Sequence, residues 1–345
     1  MKNLKKVLCV ALAAACLFMT ACQGGGAAKP KGDADATGKI NIRVSHATGV
    51  DGPYDIGAQE FKRLIEEKSG GRITATVFAS TLTTDEIEEA EMCQAGNLDM
   101  AFLFAGSIGG FAPIVNIFDL PFLFEDMDHI NRVFDSEVGE KILQSISDVP
   151  GLVGLGFHED GWRAVTTADK KIATLEDLKG TKIRVPVNEV CTDIYKALGA
   201  IPIALPSGEI YNSLQTGVVQ GQDNGVLCAN SVGYLELCKY VNFSRHYYSA
   251  GAVIGGEKFW DSLTPEDQKL IKECVKEAGV YQRKQCWDTE TKLAEELAAQ
   301  GKFELTYPKD LDKWEAAVQP VYEKYLGKNP EWKPIVEEIK ALKDN

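Results

Sequence analysis

Residues 180–224 read GTKIRVPVNEVCTDIYKALGAIPIALPSGEIYNSLQTGVVQGQDN. In this stretch, short runs rich in β-branched residues alternate with runs whose apolar residues recur at helical spacing. The pattern predicts two strands, two helices and a final loop, in the chain order strand 181–186, helix 189–198, strand 200–205, helix 208–216 and loop 221–224. Such an alternation is typical of an α/β domain built on a parallel sheet.

The first half of the chain shows the same alternation. Strands are predicted at residues 40–45, 72–79 and 99–104, with helices between them at residues 54–68 and 85–95. Thr84 and Asp85 supply a cap for the second helix, and Gly96 ends it. We therefore expect a parallel α/β sheet here too, and a chain made of two α/β lobes.

Later segments connect the two lobes. Residues 247–255 favour a strand that leads back to the first lobe, and Thr264 begins a helical pattern that continues to about residue 300. The mean helix has about 11 to 12 residues, so a helix of this length suits a position across both lobes. Chain crossings between lobes make a hinge and a cleft, where small ligands bind. The predicted organisation is lobe I at residues 39–160 and 250–289, and lobe II at residues 161–249 and 290–345.

The composition restricts the classes of function. The chain has 345 residues, a formal net charge of −13 and 45% hydrophobic residues, enough for about two domains with their own cores. An excess of 50 acidic over 37 basic residues argues against nucleic acid as a partner, because phosphates attract basic surfaces. It does not argue against a small anionic ligand, since one or two buried arginines decide the charge of a pocket.

The first residues of the chain predict export. Residues 1–6 carry three lysines, and residues 7–19 form an apolar run too short to span a bilayer comfortably. Met19-Thr20-Ala21-Cys22 then resembles a lipobox, which predicts a signal peptide at residues 1–22 and a lipid anchor on Cys22. Cys16 is a competing site, and ordinary cleavage without lipid is the alternative. Residues 23–38 predict a flexible tether to the outer face of the membrane.

The motifs favour binding over catalysis. The sequence contains no nucleophile motif, Walker loop or dinucleotide fingerprint. We expect no metal site and no cofactor, because no close CxxC or Cys/His cluster follows Cys22. Spacing does not define a disulfide pattern for the remaining cysteines, which are Cys93, Cys191, Cys228, Cys238, Cys274 and Cys286.

An ordered set of motifs carries a family resemblance. They are Trp162-Arg163 and the segments 119–124, 175–186, 198–200, 209–211, 214–219, 221–224 and 258–263. The set closely resembles the DctP family, the solute-binding proteins of tripartite ATP-independent periplasmic (TRAP) transporters. The resemblance implies a two-lobed, type II-like periplasmic-binding-protein fold with a hinge and a long helix spanning both lobes. It also implies a monomer that delivers a small organic acid to a small and a large membrane subunit.

The resemblance assigns roles at three positions. Arg184 matches the family arginine whose planar guanidinium takes the ligand carboxylate in a bidentate pair, for which lysine would serve poorly. Asn224 matches an asparagine that offers the same carboxylate an amide donor. Arg163 matches a second basic position that helps to position the ligand. The sequence departs from the family pattern at Gln220, which replaces an acid, and at Asp223, which shortens one.

Other positions are expected to set selectivity. Glu86 matches an acidic contact of a sialate-binding branch, but Phe104 and Ser107 replace that branch's acid and arginine, which disfavours sialic acid. Ser207 replaces an aromatic residue, so the wall is smaller there. Four side chains could contribute hydrogen bonds or a ring face: His46, Trp162, Phe104 and Tyr211. A uronate or other sugar acid, a dicarboxylate, and a keto or aromatic monocarboxylate all remain open.

Two other classes of function compete with a transport receptor. One is a ligand-binding receptor that feeds a sensor, which the single sequence does not distinguish from a transport protein. The other is an exported enzyme, such as a lyase or hydrolase that uses Glu86 and His46. His46 and His246 are more typical of histidines that form structural hydrogen bonds than of histidines that contact a ligand.

Overall fold

Two mixed β-sheets with flanking helices organise residues 38–344, the part of the chain that the computed structural model describes. The predicted signal peptide, the lipid-anchor cysteine and residues 23–37 of the predicted tether lie outside these residues. The strands are β1 Ile40–His46, β2 Ile73–Ala79, β3 Met100–Phe104, β4 Leu152–Trp162, β5 Ala164–Thr167, β6 Lys182–Val185, β7 Ile201–Ala204, β8 Gly221–Asn224, β9 Tyr240–Asn242, β10 Tyr248–Gly256 and β11 Glu304–Thr306.

Helices lie between most of the strands. They are α1 Pro53–Lys68, α2 Glu86–Ala95, α3 Met127–Phe134, α4 Glu137–Ser147, α5 Leu175–Leu178, α6 Glu189–Ala197, α7 Ile210–Gln215, α8 Val226–Ser231, α9 Glu257–Ser262, α10 Pro265–Ala299, α11 Leu311–Ala317, α12 Gln319–Lys328 and α13 Trp332–Ala341. Two 3-10 helices follow β3, at Ala105–Ile108 and Pro113–Asp119. Local signals act as expected at α2, where the Asp85 carboxylate accepts from the backbone N–H of Ile87 and Gly96 ends the helix at φ 78°.

The first sheet has the strand order β2-β1-β3-β10-β4. β1 pairs in parallel with β2 and β3, whereas β10 is antiparallel to both β3 and β4. The predicted parallel pairing is confirmed among β1, β2 and β3, and the returning strand β10 joins the sheet in the antiparallel direction. β10 reaches this sheet directly from the second sheet, without the long crossover that a parallel connection needs.

The second sheet has the order β11-β9-β5-β8-β6-β7. β6 pairs in parallel with β7 and β8, and β5 runs antiparallel to β8 and β9. The prediction of a loop at residues 221–224 is wrong, since these residues form β8 between β5 and β6. The polar side chains of this segment are more typical of a loop, yet all four residues are buried. Gln222 donates to the Thr166 hydroxyl at 2.7 Å.

The chain passes between the sheets at two short crossings. β4 ends at Trp162 and β5 begins at Ala164, while β9 ends at Asn242 and β10 begins at Tyr248. Arg163 joins the two crossings, because its backbone N–H donates to the Tyr247 carbonyl at 3.1 Å and its carbonyl accepts from the Arg245 N–H at 3.0 Å. A single residue thus connects both sheets through its main chain.

Helix α10 is the third connection, and it confirms the predicted long helix. It packs against α1, α3 and β4 beside the first sheet, and against α8 and β11 beside the second. Gly279 permits a close approach to β4, since a Cβ there would lie 2.2 Å from the Phe157 carbonyl oxygen. A glycine in the middle of a helix costs about 1 kcal/mol relative to alanine, so close packing explains its place.

The last helices pack against different elements. α12 packs against α6, whereas α13 packs against α4 and the 3-10 helix Pro113–Asp119, beside the first sheet. The assignment of residues 290–345 to lobe II, with the rest of the lobe boundaries, therefore stays a prediction. Within the described part of the chain, no helix has the length and apolar character that a membrane crossing requires. The described cysteines are buried free thiols: Cys93, Cys191, Cys228, Cys238, Cys274 and Cys286.

Candidate functional site

A small cavity of about 20 Å³ lies between the two sheets, at the crossings of the chain. Its walls come from both sheets and are rich in charged and polar groups. The lining consists of Thr48, Tyr54, Glu86, Phe104, Asp160, Arg163, Arg184, Pro186, Ser207, Asn224 and Cys228. Six residues predicted from the sequence therefore meet here: Arg184, Asn224, Arg163, Glu86, Phe104 and Ser207. A larger groove of about 400 Å³ between α4, β4 and α10 contains none of the predicted site residues.

Arg184 lies near the end of β6, with β7 and β8 on either side. Its Nε donates to the Leu205 carbonyl at 2.8 Å, which fixes the plane of the guanidinium. Within residues 38–344, its two terminal nitrogens make no hydrogen bond and no ion pair with protein. Burial lowers the pKa of Arg184, and neighbouring anionic groups offset only part of that effect. The geometry leaves a buried guanidinium fork available to an anion.

Arg163 is also buried, but protein groups occupy its terminal nitrogens. Nη1 donates to Asn224 Oδ1 at 2.6 Å, and Nη2 contacts Asp160 Oδ2 and Ser249 Oγ, each at 2.7 Å. The guanidinium lies 5.2 Å from the centre of the Phe104 ring, in cation–π range. Burial opposes its charge, yet Asp160 and other nearby anions raise the pKa of Arg163 well above its ordinary value.

Asn224 ends β8 directly opposite Ala164 of β5. Its side-chain oxygen accepts from Arg163, and its Nδ2 donates to Gln222 Oε1 at 2.9 Å. An amide nitrogen carries two hydrogens, so one donor remains for another partner in the cavity. Arg163 and Gln222 thereby hold the amide in one orientation.

Glu86 begins helix α2 at the opposite wall. One carboxylate oxygen accepts from the Phe104 backbone N–H at 3.0 Å, and the other accepts from the Ser107 hydroxyl at 2.6 Å. Burial raises the pKa of Glu86, while these two hydrogen bonds act in the other direction. Ser107 supports this carboxylate and does not itself line the cavity.

Three of the predicted residues lie away from the cavity. Trp162 points away from the cavity, because neighbouring residues of an extended chain point to opposite faces and Arg163 faces the cavity. Its ring packs edge-on against Tyr248, with ring centres 5.5 Å apart. His46 is buried, with Nε2 3.3 Å from an Asp55 carboxylate oxygen. Tyr211 lies in α7 and packs against the smaller apolar core of the second sheet. Their role as ligand contacts stays a prediction.

Five lining residues were not predicted: Thr48, Tyr54, Asp160, Pro186 and Cys228. Asp160 was missed because β4 was not predicted, so the inward face of its strand was unknown. Its Oδ1 is buried without a hydrogen-bond partner among the described residues. Tyr54 and Thr48 flank the start of α1, and their sequence neighbours carry no signal that distinguishes a cavity wall from a core.

The comparisons with known proteins agree with this architecture. The family model "Bacterial extracellular solute-binding protein, family 7" (DctP) matches residues 44–329. The 2,3-diketo-L-gulonate-binding periplasmic protein YiaO of Escherichia coli is 29% identical over 273 residues, which cover 79% of this chain and 82% of that protein.

Solved structures show the same similarity. A TRAP periplasmic solute-binding protein from a Polaromonas species, bound to D-erythronate, has a TM-score of 0.84 at 28% identity and covers 89% of this chain and 100% of its own. A second one, from Pseudomonas putida with bound D-glucuronate, has a TM-score of 0.82 at 31% identity and covers 89% of this chain and 98% of its own. The resemblance noted in the sequence and the predicted two-lobed fold are thus confirmed, and the chain belongs to the DctP family of TRAP solute-binding proteins.

Proposed function

We propose that this chain captures a small organic acid outside the cytoplasm, with the carboxylate on Arg184, and delivers it to the membrane subunits of a TRAP transporter. One observation carries the proposal. The Arg184 guanidinium is buried in the cavity, oriented through Nε by the Leu205 carbonyl, while both terminal nitrogens have no partner among the described residues.

The energetics of a buried cation support this role. A guanidinium without a counter-ion in a low-dielectric site is costly, and a carboxylate that binds it through two parallel hydrogen bonds offsets much of that cost. Asn224 would add its remaining amide hydrogen to the same carboxylate. In this proposal Arg163 holds Asn224 in place and acts on the ligand through it.

The ligands of three relatives support the chemical class, although other relatives of similar identity are named for C4-dicarboxylates. The three relatives bind diketo-gulonate, erythronate and glucuronate, which share a carboxylate on a short hydroxylated carbon chain. We extend this class to the present chain and propose a uronate or another sugar acid as its ligand. The family consists of binding proteins, and we propose that this chain likewise catalyses no reaction.

Ligand binding requires the walls of the cavity to move. A volume of about 20 Å³ holds roughly one water molecule, far less than an organic acid occupies. The two crossings and α10 provide the hinge for this motion. Across the cleft, Asn188 at the start of α6 donates to the Gly106 carbonyl at 3.0 Å and to Asn116 Oδ1 at 2.8 Å, so these contacts must open first.

A thermal-shift assay followed by calorimetry tests the proposal. A ligand that binds only the folded state raises the melting temperature, and we expect this for D-glucuronate or another acid of a uronate and aldonate series. The matched control is D-glucuronamide, which has the same skeleton without the negative charge and should cause no shift. Equal shifts from acid and amide would refute the role of a carboxylate.

We also propose that the exported chain is anchored by lipid on Cys22, a residue outside the described part of the structure. Fractionation of cells that express the full chain tests this point. Cys22→Ser should move the protein from the membrane fraction to the soluble extracytoplasmic fraction, whereas Cys16→Ser should leave it in the membrane fraction. If only Cys16→Ser released the protein, the lipid anchor would be assigned to Cys16. If neither variant released it, lipidation would be refuted.

A further inference from the structure

We infer that the ligand is a monocarboxylate whose far end carries hydroxyl groups, and that Glu86 excludes acids with a second carboxylate. This inference rests on the proposed function and narrows its ligand class. The observation behind it is the distribution of charge around the cavity, where Arg184 and Glu86 lie on opposite walls without pairing with each other.

The lining contains two cations and two anions. Arg163 pairs with Asp160 at 2.7 Å, and its terminal nitrogens are further occupied by Asn224 and Ser249. This pair is neutral as a unit and offers no free donor fork. Arg184 is therefore the one cation of the lining that remains for a ligand. A single carboxylate of the ligand is enough to neutralise the charge of Arg184.

A second carboxylate would meet Glu86 in place of a cation. Burial raises the pKa of Glu86, but Phe104 donates a backbone N–H and Ser107 a hydroxyl to it, and these hydrogen bonds favour its charged form. The neighbouring Asp160 also lines the cavity, and one of its oxygens has no hydrogen-bond partner among the described residues, so it offers a second carboxylate an acceptor and no donor. Like charges brought together in a desolvated site cost several kcal/mol. For a dicarboxylate, the repulsion between its second carboxylate and Glu86 therefore offsets the binding free energy that its first carboxylate gains at Arg184.

The neutral groups of the lining suit hydroxyls. Among the described residues, the Tyr54 hydroxyl makes no hydrogen bond. A ligand hydroxyl can accept from Tyr54 while it donates to Glu86. A ligand hydroxyl both donates and accepts, so a hydroxylated chain fits the Tyr54 hydroxyl and the Glu86 carboxylate together.

Matched acids test the inference by calorimetry. D-Erythronate and meso-tartrate share a four-carbon skeleton and differ in having CH₂OH or a carboxylate at one end; D-gluconate and D-glucarate are the corresponding six-carbon pair. We expect each diacid to bind about a hundredfold more weakly than its monoacid. Succinate, a diacid without hydroxyls, should bind at least as weakly. A diacid that binds as tightly as its monoacid would overturn the inference.

The variant Glu86→Gln isolates the charge of that residue. It preserves the size of the side chain and an oxygen that accepts from Phe104. The ratio of the diacid to the monoacid dissociation constant should fall about tenfold or more, and this ratio does not depend on the fraction of folded protein. Glu88→Gln, an exposed change in the first turn of the same helix, should leave the ratio unaltered. An unaltered ratio in Glu86→Gln would assign the selectivity elsewhere and contradict the inference.

The same measurements separate this inference from the proposed function. If a diacid binds more tightly than its monoacid and Arg184→Ala abolishes that binding, the inference fails while the carboxylate site stands. If neither series binds, or binding survives Arg184→Ala, the proposed function fails and the inference falls with it.

Discussion

Two buried arginines line the same cavity in contrasting surroundings. At the crossing between β4 and β5, Arg163 is 1% exposed, and an aspartate, an asparagine and a serine occupy its terminal nitrogens. Near the end of β6, Arg184 is 3% exposed and contacts protein through Nε alone among the hydrogen bonds of the described residues. Burial alone therefore does not distinguish the two arginines, whereas the occupation of their terminal nitrogens does.

The two arginines therefore have different expected roles. Arg163 connects elements of both sheets, since Asp160 and Ser249 belong to the first sheet and Asn224 to the second. Its loss should first affect the fold. Arg184 contributes a charge that the protein leaves unneutralised, so its loss should first affect binding.

The largest expected effect concerns Arg184. Arg184→Ala should weaken binding of the organic acid about a thousandfold, because the desolvated carboxylate would lose its counter-ion, a loss of about 4 kcal/mol. Calorimetry measures the affinity, and thermal denaturation should show an equal or higher melting temperature, since an unpaired buried charge has been removed.

A matched control removes the same charge from the exposed end of the same strand. Lys182→Ala should leave affinity unaltered, because its side chain is exposed to solvent. Arg184→Lys should recover only part of the binding, as an ammonium lacks the planar fork. If Arg184→Ala bound the acid with full affinity, the contrast between the two arginines would be wrong.

The next effect concerns the fold at Arg163. Arg163→Ala should lower the free energy of unfolding by about 3 to 5 kcal/mol, because Asp160 would remain buried without its partner. Denaturant unfolding measures this loss. The double variant Arg163→Ala/Asp160→Ala should lose less than the sum of the two single changes. A stable Arg163→Ala protein with abolished binding would instead give Arg163 the direct role assigned here to Arg184.

Carboxylates beneath the crossing predict a dependence of stability on pH. Burial raises the pKa of Glu290 to about 7; burial and the charge of Glu290 raise that of Glu159 to about 8. Both values exceed the ordinary glutamate pKa of about 4.3, so the folded state binds more protons than the unfolded state between these limits. Their stabilising contribution is complete below about pH 4 and is lost as the pH rises through 7 to 8.

Between about pH 5 and pH 9, Glu290→Gln should therefore lose about 2 kcal/mol less of its free energy of unfolding than the parent protein does. Its melting temperature should fall correspondingly less over this range. Differential scanning calorimetry across this range measures the slope. Glu296→Gln, an exposed change on the same helix, serves as the control and should retain the parent slope. A steeper fall in Glu290→Gln would reverse the sign worked out above.

The smallest expected effect lies just after the strand of Arg184, at Asn188. Its side-chain oxygen accepts from the Cys191 N–H at 3.0 Å and caps α6, while its Nδ2 donates across the cleft to Gly106 and Asn116. Asn188→Ser should preserve the cap but lose the contacts across the cleft. We expect ligand affinity to fall about fivefold, or about 1 kcal/mol, through faster dissociation in stopped-flow measurements. Unaltered dissociation would show that these contacts do not stabilise the closed form.

Much of the fold could be predicted from local patterns. The strand around Arg184, the helix that Asp85 begins and Gly96 ends, and the long helix after Thr264 all follow from residues within a few positions of one another. The strands β8 and β10 illustrate the opposite case. The polar residues of β8 are typical of a loop in isolation, and the direction of β10 depends on the sheet that it joins.

Sequence patterns alone predict two α/β lobes, an ordered family motif, and Arg184 and Arg163 as candidate ligand-binding arginines. The neutralisation of Arg163 by Asp160, the place of Glu86 at the cavity and the unoccupied fork of Arg184 become visible only in the folded chain. The cause is distance along the chain. Hydrogen-bond partners such as Asn224 and Ser249 lie 61 and 86 positions from Arg163, so no local pattern records which donors are already satisfied.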